Sequence, residues 1–193
     1  MILPIIAYGD PVLKTKGKEI APDYPKLEEL IENMFDTMYS AHGVGLAAPQ
    51  VGLPIRLFIV DASPMAEDEE FAEEEINQLK DFKKVFINPR ITEETGIEWD
   101  FNEGCLSIPD IREDVKRKPA LSISYVDENF VPHIENYEGV AARIIQHEYD
   151  HIEGVLFTDR LSPFKKRILK GRLTNISKGN IKVDYKMRFP LKK

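Results

Sequence analysis

Val140, Ala141, Ile144, Ile145 and Tyr149 recur at helical spacing, which predicts a helix over 139–152 with an apolar face that the rest of the chain has to cover. The same turns carry Gln146-His147-Glu148-Tyr149-Asp150-His151. At about 3.6 residues per turn, positions i and i+4 lie one above the other, so His147 and His151 point the same way. Two imidazoles on adjacent turns can hold one divalent metal, and Glu148 falls beside it. From there a carboxylate can take a proton from water at the metal and hand it to a leaving group. The plainer alternative is a helix with two solvent-facing histidines.

The single cysteine, Cys105, lies upstream in Glu103-Gly104-Cys105-Leu106-Ser107-Ile108-Pro109. Catalytic zinc-type sites keep three protein ligands and an open position for water, whereas structural sites close with four. A thiolate and two histidines would make the open kind; the alternative is a small buried hydrophobe. After His151 come Ile152-Glu153-Gly154-Val155-Leu156-Phe157, so no third histidine or glutamate follows at protease-like spacing. A third segment, Gly43-Val44-Gly45-Leu46-Ala47-Ala48-Pro49-Gln50, lets backbone approach a ligand closely and ends on an amide donor suited to a carbonyl oxygen. Alone, it also reads as a turn ending a helix.

Together these segments resemble the signature set of the peptide deformylases: Gly-x-Gly-x-Ala-Ala-x-Gln, Glu-Gly-Cys-Leu-Ser and Gln-His-Glu-x-Asp-His, in that order. All three are intact, and the resemblance spans residues 8–161. It implies that Cys105, His147 and His151 bind one divalent metal and that Glu148 is the catalytic acid and base. Gln50 and the Leu106 N–H would then stabilise the oxyanion. Ferrous iron is the metal the resemblance implies; spacing alone equally allows zinc, nickel or cobalt. The implied reaction removes formate from the N-formyl-methionine of nascent peptides. For the methionine side chain, candidate pocket residues are Val44 and Gly45 in the glycine segment, Phe101, and Val140 and Ile144 on the face of His147. Arg112 matches a family position near the peptide groove. Ordinary core, or a surface ion pair for Arg112, is the alternative for each. Competing functions are a zinc-type metalloprotease acting on internal peptide bonds and a non-catalytic metal-binding or ribosome-interacting protein. The ligand set argues against the first, and intact Glu148 and Gln50 argue against the second.

A length of 193 residues suits one domain, and 42% hydrophobic with 9% aromatic residues suits a globular core. A lone cysteine allows no internal disulfide and fits a reducing compartment. The start of the chain lacks the basic leader of a signal peptide, and no apolar run approaches the roughly 20 residues that span a bilayer. A cytoplasmic protein without membrane contact is expected. The net charge of −7 conceals an asymmetry: residues 162–193 hold eleven Lys or Arg against one acid, +10, which leaves −17 on the remainder. Such a tail is either a solvated face or a weak contact for ribosomal phosphate.

Periodicity predicts further helices over 25–41 and 163–173, with strands over 55–60, 84–91, 95–101, 111–117, 121–125, 130–137 and 181–189. The stretch 63–83 is crowded with acids and reads as an exposed excursion with a short helix over 72–79 and no catalytic role. His42 and His133 read as a capping or packing residue and a surface residue. The expected fold is α+β, with short antiparallel or mixed sheets packed around a central metal-binding helix.

Overall fold

A computed structural model describes residues 1–67 and 71–191. Helix α1 (Leu27–Ser40) buries Ile31, Met34 and Met38 and places Glu28 and Glu29 in its first turn, where they suit the helix dipole. Its end is abrupt. His42 takes a left-handed φ of 54°, and the Gly43 N–H turns back to the Met38 carbonyl at 2.9 Å. That reversal feeds the chain into β2 (Gly45–Ala47), where the glycine segment lies.

Strand β2 is the edge of a five-stranded antiparallel sheet that continues through β3 (Leu57–Asp61), β4 (Lys83–Thr95), β7 (Ala120–Val126) and β8 (Pro132–Glu138). A separate hairpin pairs β5 (Trp99–Cys105) with β6 (Ile108–Arg117), and Cys105 sits at its turn. Helix α3 (Gly139–Ile152) leaves β8 directly and lies between sheet and hairpin. Eleven of its fourteen residues are buried, so it has more than the single covered face the sequence pattern suggests. Ala141, Ala142 and Ile145 join the sheet's core with Phe58, Phe86 and Ile123, while its polar residues meet charges from the hairpin. This is the α+β arrangement expected, with short antiparallel sheets about the helix that bears the histidines. Among the described residues no helix is long and apolar enough to cross a membrane.

Two expectations change. The stretch 63–83 is not merely an exposed excursion. Helix α2 (Glu73–Leu79) forms, and Met65, Ala66, Phe71, Leu79 and Phe82 pack on the main core. The sparse apolar residues among the acids are its anchors, and Glu75 accepts a hydrogen bond from the Val140 N–H at the start of α3. Asp68, Glu69 and Glu70 lie outside the described residues. The second change is at the C-terminal end. After helix α4 (Pro163–Ser177), only Met187–Arg188 among the described residues forms a strand, β9, parallel to β1 (Ile5–Ile6). Residues 182–185, expected in that strand, instead run along a large cavity.

Candidate active site

The two histidines project from successive turns of α3 with ring centroids 5.1 Å apart. The hairpin turn brings Cys105 to them: its Sγ is 3.3 Å from His151 Nε2, and the three residues' donor atoms lie within 4.8 Å of one another. Ligands on a tetrahedral ion, with M–S about 2.3 Å and M–N about 2.0–2.1 Å, would sit roughly 3.4–3.6 Å apart. The three residues therefore fit a metal. Burial by itself would depress the His147 pKa, yet hydrogen bonds to Cys105 and Glu103 hold it well above the usual imidazole value. Burial and the neighbouring His147 charge push His151 the other way.

Glu148 is 4% exposed, and its Oε2 is among the buried atoms with no hydrogen-bond partner among the described residues. Burial pushes its pKa up to about 7, with the His147 charge opposing the rise and Glu103 adding to it. Gly45 makes room for it: a Cβ there would stand 2.5 Å from Glu148 Oε1. Glycine at this place is thus a condition for the carboxylate's position. Gln50, in the 3-10 turn Ala48–Val51, uses its Oε1 to accept from the Ala47 N–H at 2.9 Å. That bond fixes the amide so that Nε2 points towards Ser107 Oγ at 3.3 Å and Cys105 Sγ at 3.5 Å. The Leu106 carbonyl is held by the Tyr185 hydroxyl at 2.7 Å.

Behind the histidines lies a buried charge network. Glu103 accepts from Arg117 Nε at 2.7 Å, Arg117 NH2 at 2.9 Å and Arg143 NH1 at 3.0 Å, and bonds His147 Nδ1 at 2.9 Å. Burial would raise the Glu103 pKa, but Arg117 and His147 hold it well below the usual carboxylate range. With Nδ1 engaged, His147 presents Nε2 to the cluster, the arrangement by which an outer partner orients a ligating imidazole. Arg117 also bonds Asp150 Oδ2 at 2.7 Å, and Arg160 grips both Asp150 oxygens at 2.6 Å. Asp150 thus faces away from the cluster.

A cavity of about 940 Å³ opens over these groups. Val44, Gly45, Phe101, Arg112 and Ile144 line it with Gln50, His147 and Glu148. Val140 does not. It shares the face of His147 but lies seven residues away, roughly 10 Å along the axis, and packs into the sheet core at 2% exposure. Arg112 folds over Gly104 and is tied to Asn102 by bonds of 2.8 and 2.6 Å.

Comparison with known proteins agrees with this geometry. The family model described as Polypeptide deformylase matches residues 2–167. The chain belongs to that family. Peptide deformylase of Christiangramia forsetii is 68% identical over 190 residues, covering 98% of this chain and 97% of that one. The Flavobacterium psychrophilum enzyme is 59% identical over 193 residues, all of both chains. Among solved structures, a peptide deformylase from Legionella pneumophila superposes with a TM-score of 0.78 at 35% identity, over 93% of this chain and 98% of its own. One from Plasmodium falciparum gives 0.77 at 34%, over 89% and 94%.

Sequence reasoning missed several residues of this site. Glu103 stood inside a motif but had no assigned role, and Arg117 and Arg143 were not singled out. Apolar surroundings were the available signal for Arg143, which sits between Ala142 and Ile144 in the apolar first half of α3. Met65 and residues 182–185 also line the cavity, and no motif marks them. Residues 182–185 follow the stretch that the family model matches.

Proposed function

We propose that Cys105, His147 and His151 hold one divalent cation, that Glu148 is the general base and then the general acid, and that Gln50 and the Leu106 N–H stabilise the oxyanion. The protein is a peptide deformylase, a hydrolase that removes the N-formyl group from formyl-methionyl peptides and releases formate. A bound ion would supply Lewis acidity, polarising the formyl carbonyl and bringing the pKa of water at the site from about 15.7 towards 7. Glu148 takes a proton from the attacking water. With its pKa pushed up to about 7 it can hold that proton and return it to the departing amine. Gln50 Nε2, its amide fixed from the Ala47 side, faces the place where negative charge develops. Each such donor is worth roughly 2.7–4 kcal/mol in comparable sites. Phe101, Ile144 and Val44 offer the methionine side chain an apolar wall.

The observation that carries this reading is the buried, half-unpartnered Glu148 carboxylate beside a Cys-His-His cluster at metal-binding spacing. Formate release from formyl-methionyl peptides, assayed with bound metal per chain, tests it. Cys105→Ser is expected to remove most metal and all useful turnover; unchanged metal stoichiometry would make Cys105 a packing residue only. Ferrous iron is the proposed ion, with zinc, nickel and cobalt as substitutes. A thiolate beside a redox-active ion is open to oxidation, so peroxide should inactivate the iron form much faster than the nickel form.

The basic tail is proposed as a weak ribosome contact, in a cytoplasmic protein that acts as one domain. Phe164 and Ile168 are 71% and 62% exposed on α4, among Lys166, Arg167 and Lys170, while Leu169 and Leu173 bury its other face. Lys165 is engaged with Glu113 at 2.8 Å. Charge reversal at Lys166 and Lys170 should therefore weaken salt-sensitive co-sedimentation with ribosomes and leave short-peptide turnover intact.

A further inference from the structure

Residues 181–185 belong to no motif, yet Lys182, Val183, Asp184 and Tyr185 form one wall of the cavity that holds Glu148. The segment is anchored on both sides. At its start, Gly179 takes a left-handed φ of 70° and the Asn180 N–H donates to the Asn175 carbonyl at 2.9 Å. At its end, β9 pairs with β1, and the Ile5 and Ala7 N–H groups donate at 2.9 Å to the Lys186 and Arg188 carbonyls. Ile181, Met187 and Phe189 pack on the second core cluster, the one Cys105 touches. A strap held this way keeps its wall in place. Within it, the Tyr185 hydroxyl donates to the Leu106 carbonyl at 2.7 Å across 79 residues of sequence. Leu106 directly follows Cys105, and Gly43 leaves room for its side chain, so that turn is held from two directions. Beyond Tyr185, Lys182 and Asp184 are exposed along the cavity wall, and neither is in an ion pair among the described residues.

We propose that the strap 181–185 is part of the substrate site, with Tyr185 a positioning residue for the Leu106 turn and Lys182 a specificity contact for substrate residues after formyl-methionine. The inference rests on the deformylase reading above. Tyr185 touches neither the Glu148 carboxylate nor the ligand atoms by hydrogen bond; it acts through the Leu106 peptide. Losing its hydroxyl frees that peptide to shift, which misplaces the adjacent N–H in the transition state and leaves substrate binding alone.

The test uses the full-length, metal-loaded chain. Tyr185→Phe is expected to lower kcat roughly three- to tenfold, the worth of one half-buried hydrogen bond, with KM and bound metal unchanged and the melting temperature lowered by only a few degrees. Unchanged kcat, or a fall in kcat that only tracks lost metal or lost stability, would overturn the positioning role. In the second arm, Lys182→Glu is assayed on formyl-methionyl-alanyl tripeptides ending in aspartate or lysine. A shift of about threefold or more in relative kcat/KM towards lysine supports the wall; no shift overturns it. Wild-type enzyme that releases formate while both variants behave like it would sink this inference alone. Metal-loaded wild type that releases no formate would sink the deformylase reading with it.

Discussion

At the floor of the cavity and behind it, the polar groups around Glu148 are tied down: Glu103 to two arginines and His147, Asp150 to Arg117 and Arg160, Gln50 to the Ala47 N–H. At its mouth, Met65, Lys182 and Val183 come from an acidic stretch and a C-terminal strap held mainly by packing and a two-residue strand pair. The floor sits in a low-dielectric interior, where an unpaired charge is expensive and geometry is over-determined. The mouth meets water, where charges are screened and a side chain can change at little cost in stability. Changes at the floor should therefore act on chemistry and folding together, and changes at the mouth on substrate preference.

The sharpest test is Glu148→Ala. It should cost on the order of 10²–10⁴ in kcat while bound metal survives, because the carboxylate transfers protons and is no ligand. Loss of metal in proportion to activity would move Glu148 into the ligand set. Arg117→Leu should come next. It takes one of two arginines from Glu103 and leaves Asp150 to Arg160 alone, so two buried carboxylates lose compensation, and it is expected to destabilise the fold by roughly 3–5 kcal/mol in denaturant titrations. A cost under about 1 kcal/mol would mean the network is solvated and the contrast with the mouth is false.

The third test is pH. Glu148 is raised from an ordinary carboxylate value to about 7 by burial. Protonation is therefore favoured in the folded state, so this contribution to stability is full below the unfolded pKa of about 4.5 and lost as pH rises through about 7. In metal-free protein, wild type should lose roughly 2–3 kcal/mol relative to Glu148→Gln between about pH 5 and pH 8. Parallel stability curves for the two proteins would show the carboxylate to be solvated. The smallest effect belongs to the mouth: Met65→Ala should raise KM by about two- to fivefold through lost apolar contact, with kcat nearly unchanged and the melting temperature only modestly lowered, because Met65 is a half-buried residue at the edge of the core. A large fall in melting temperature with KM unchanged would make Met65 a packing residue and not a wall of the substrate cavity.

The floor was legible in the sequence to the extent that its chemistry is local. His147, Glu148 and His151 sit at i, i+1 and i+4 on one helix, and a helix fixes their relation without reference to anything else. Gly45 could be read as a place of close approach, though not that the approaching group is Glu148. Val140 shows the limit of helical phase: the same face, about two turns further along the axis, belongs to a different environment. Residues 181–189 show the limit of alternation. Their pattern suits a strand, but among the described residues only Met187 and Arg188 pair as one, and the exposed Lys182 and Asp184 line a cavity and not a neighbouring strand.

By itself the sequence determined the helices, most of the strands to within a few residues, the candidate ligands and the family-level chemistry, since these follow from side-chain periodicity and short motifs. Only the tertiary structure decided which distant groups meet: Glu103 with Arg117 and His147, Gln50 with Cys105, Tyr185 with Leu106, Glu75 with the start of α3. Periodicity carries information over one or two turns of chain. Partners separated by tens of residues are chosen by packing, where a buried charge or hydroxyl must find a complement wherever the fold has brought one.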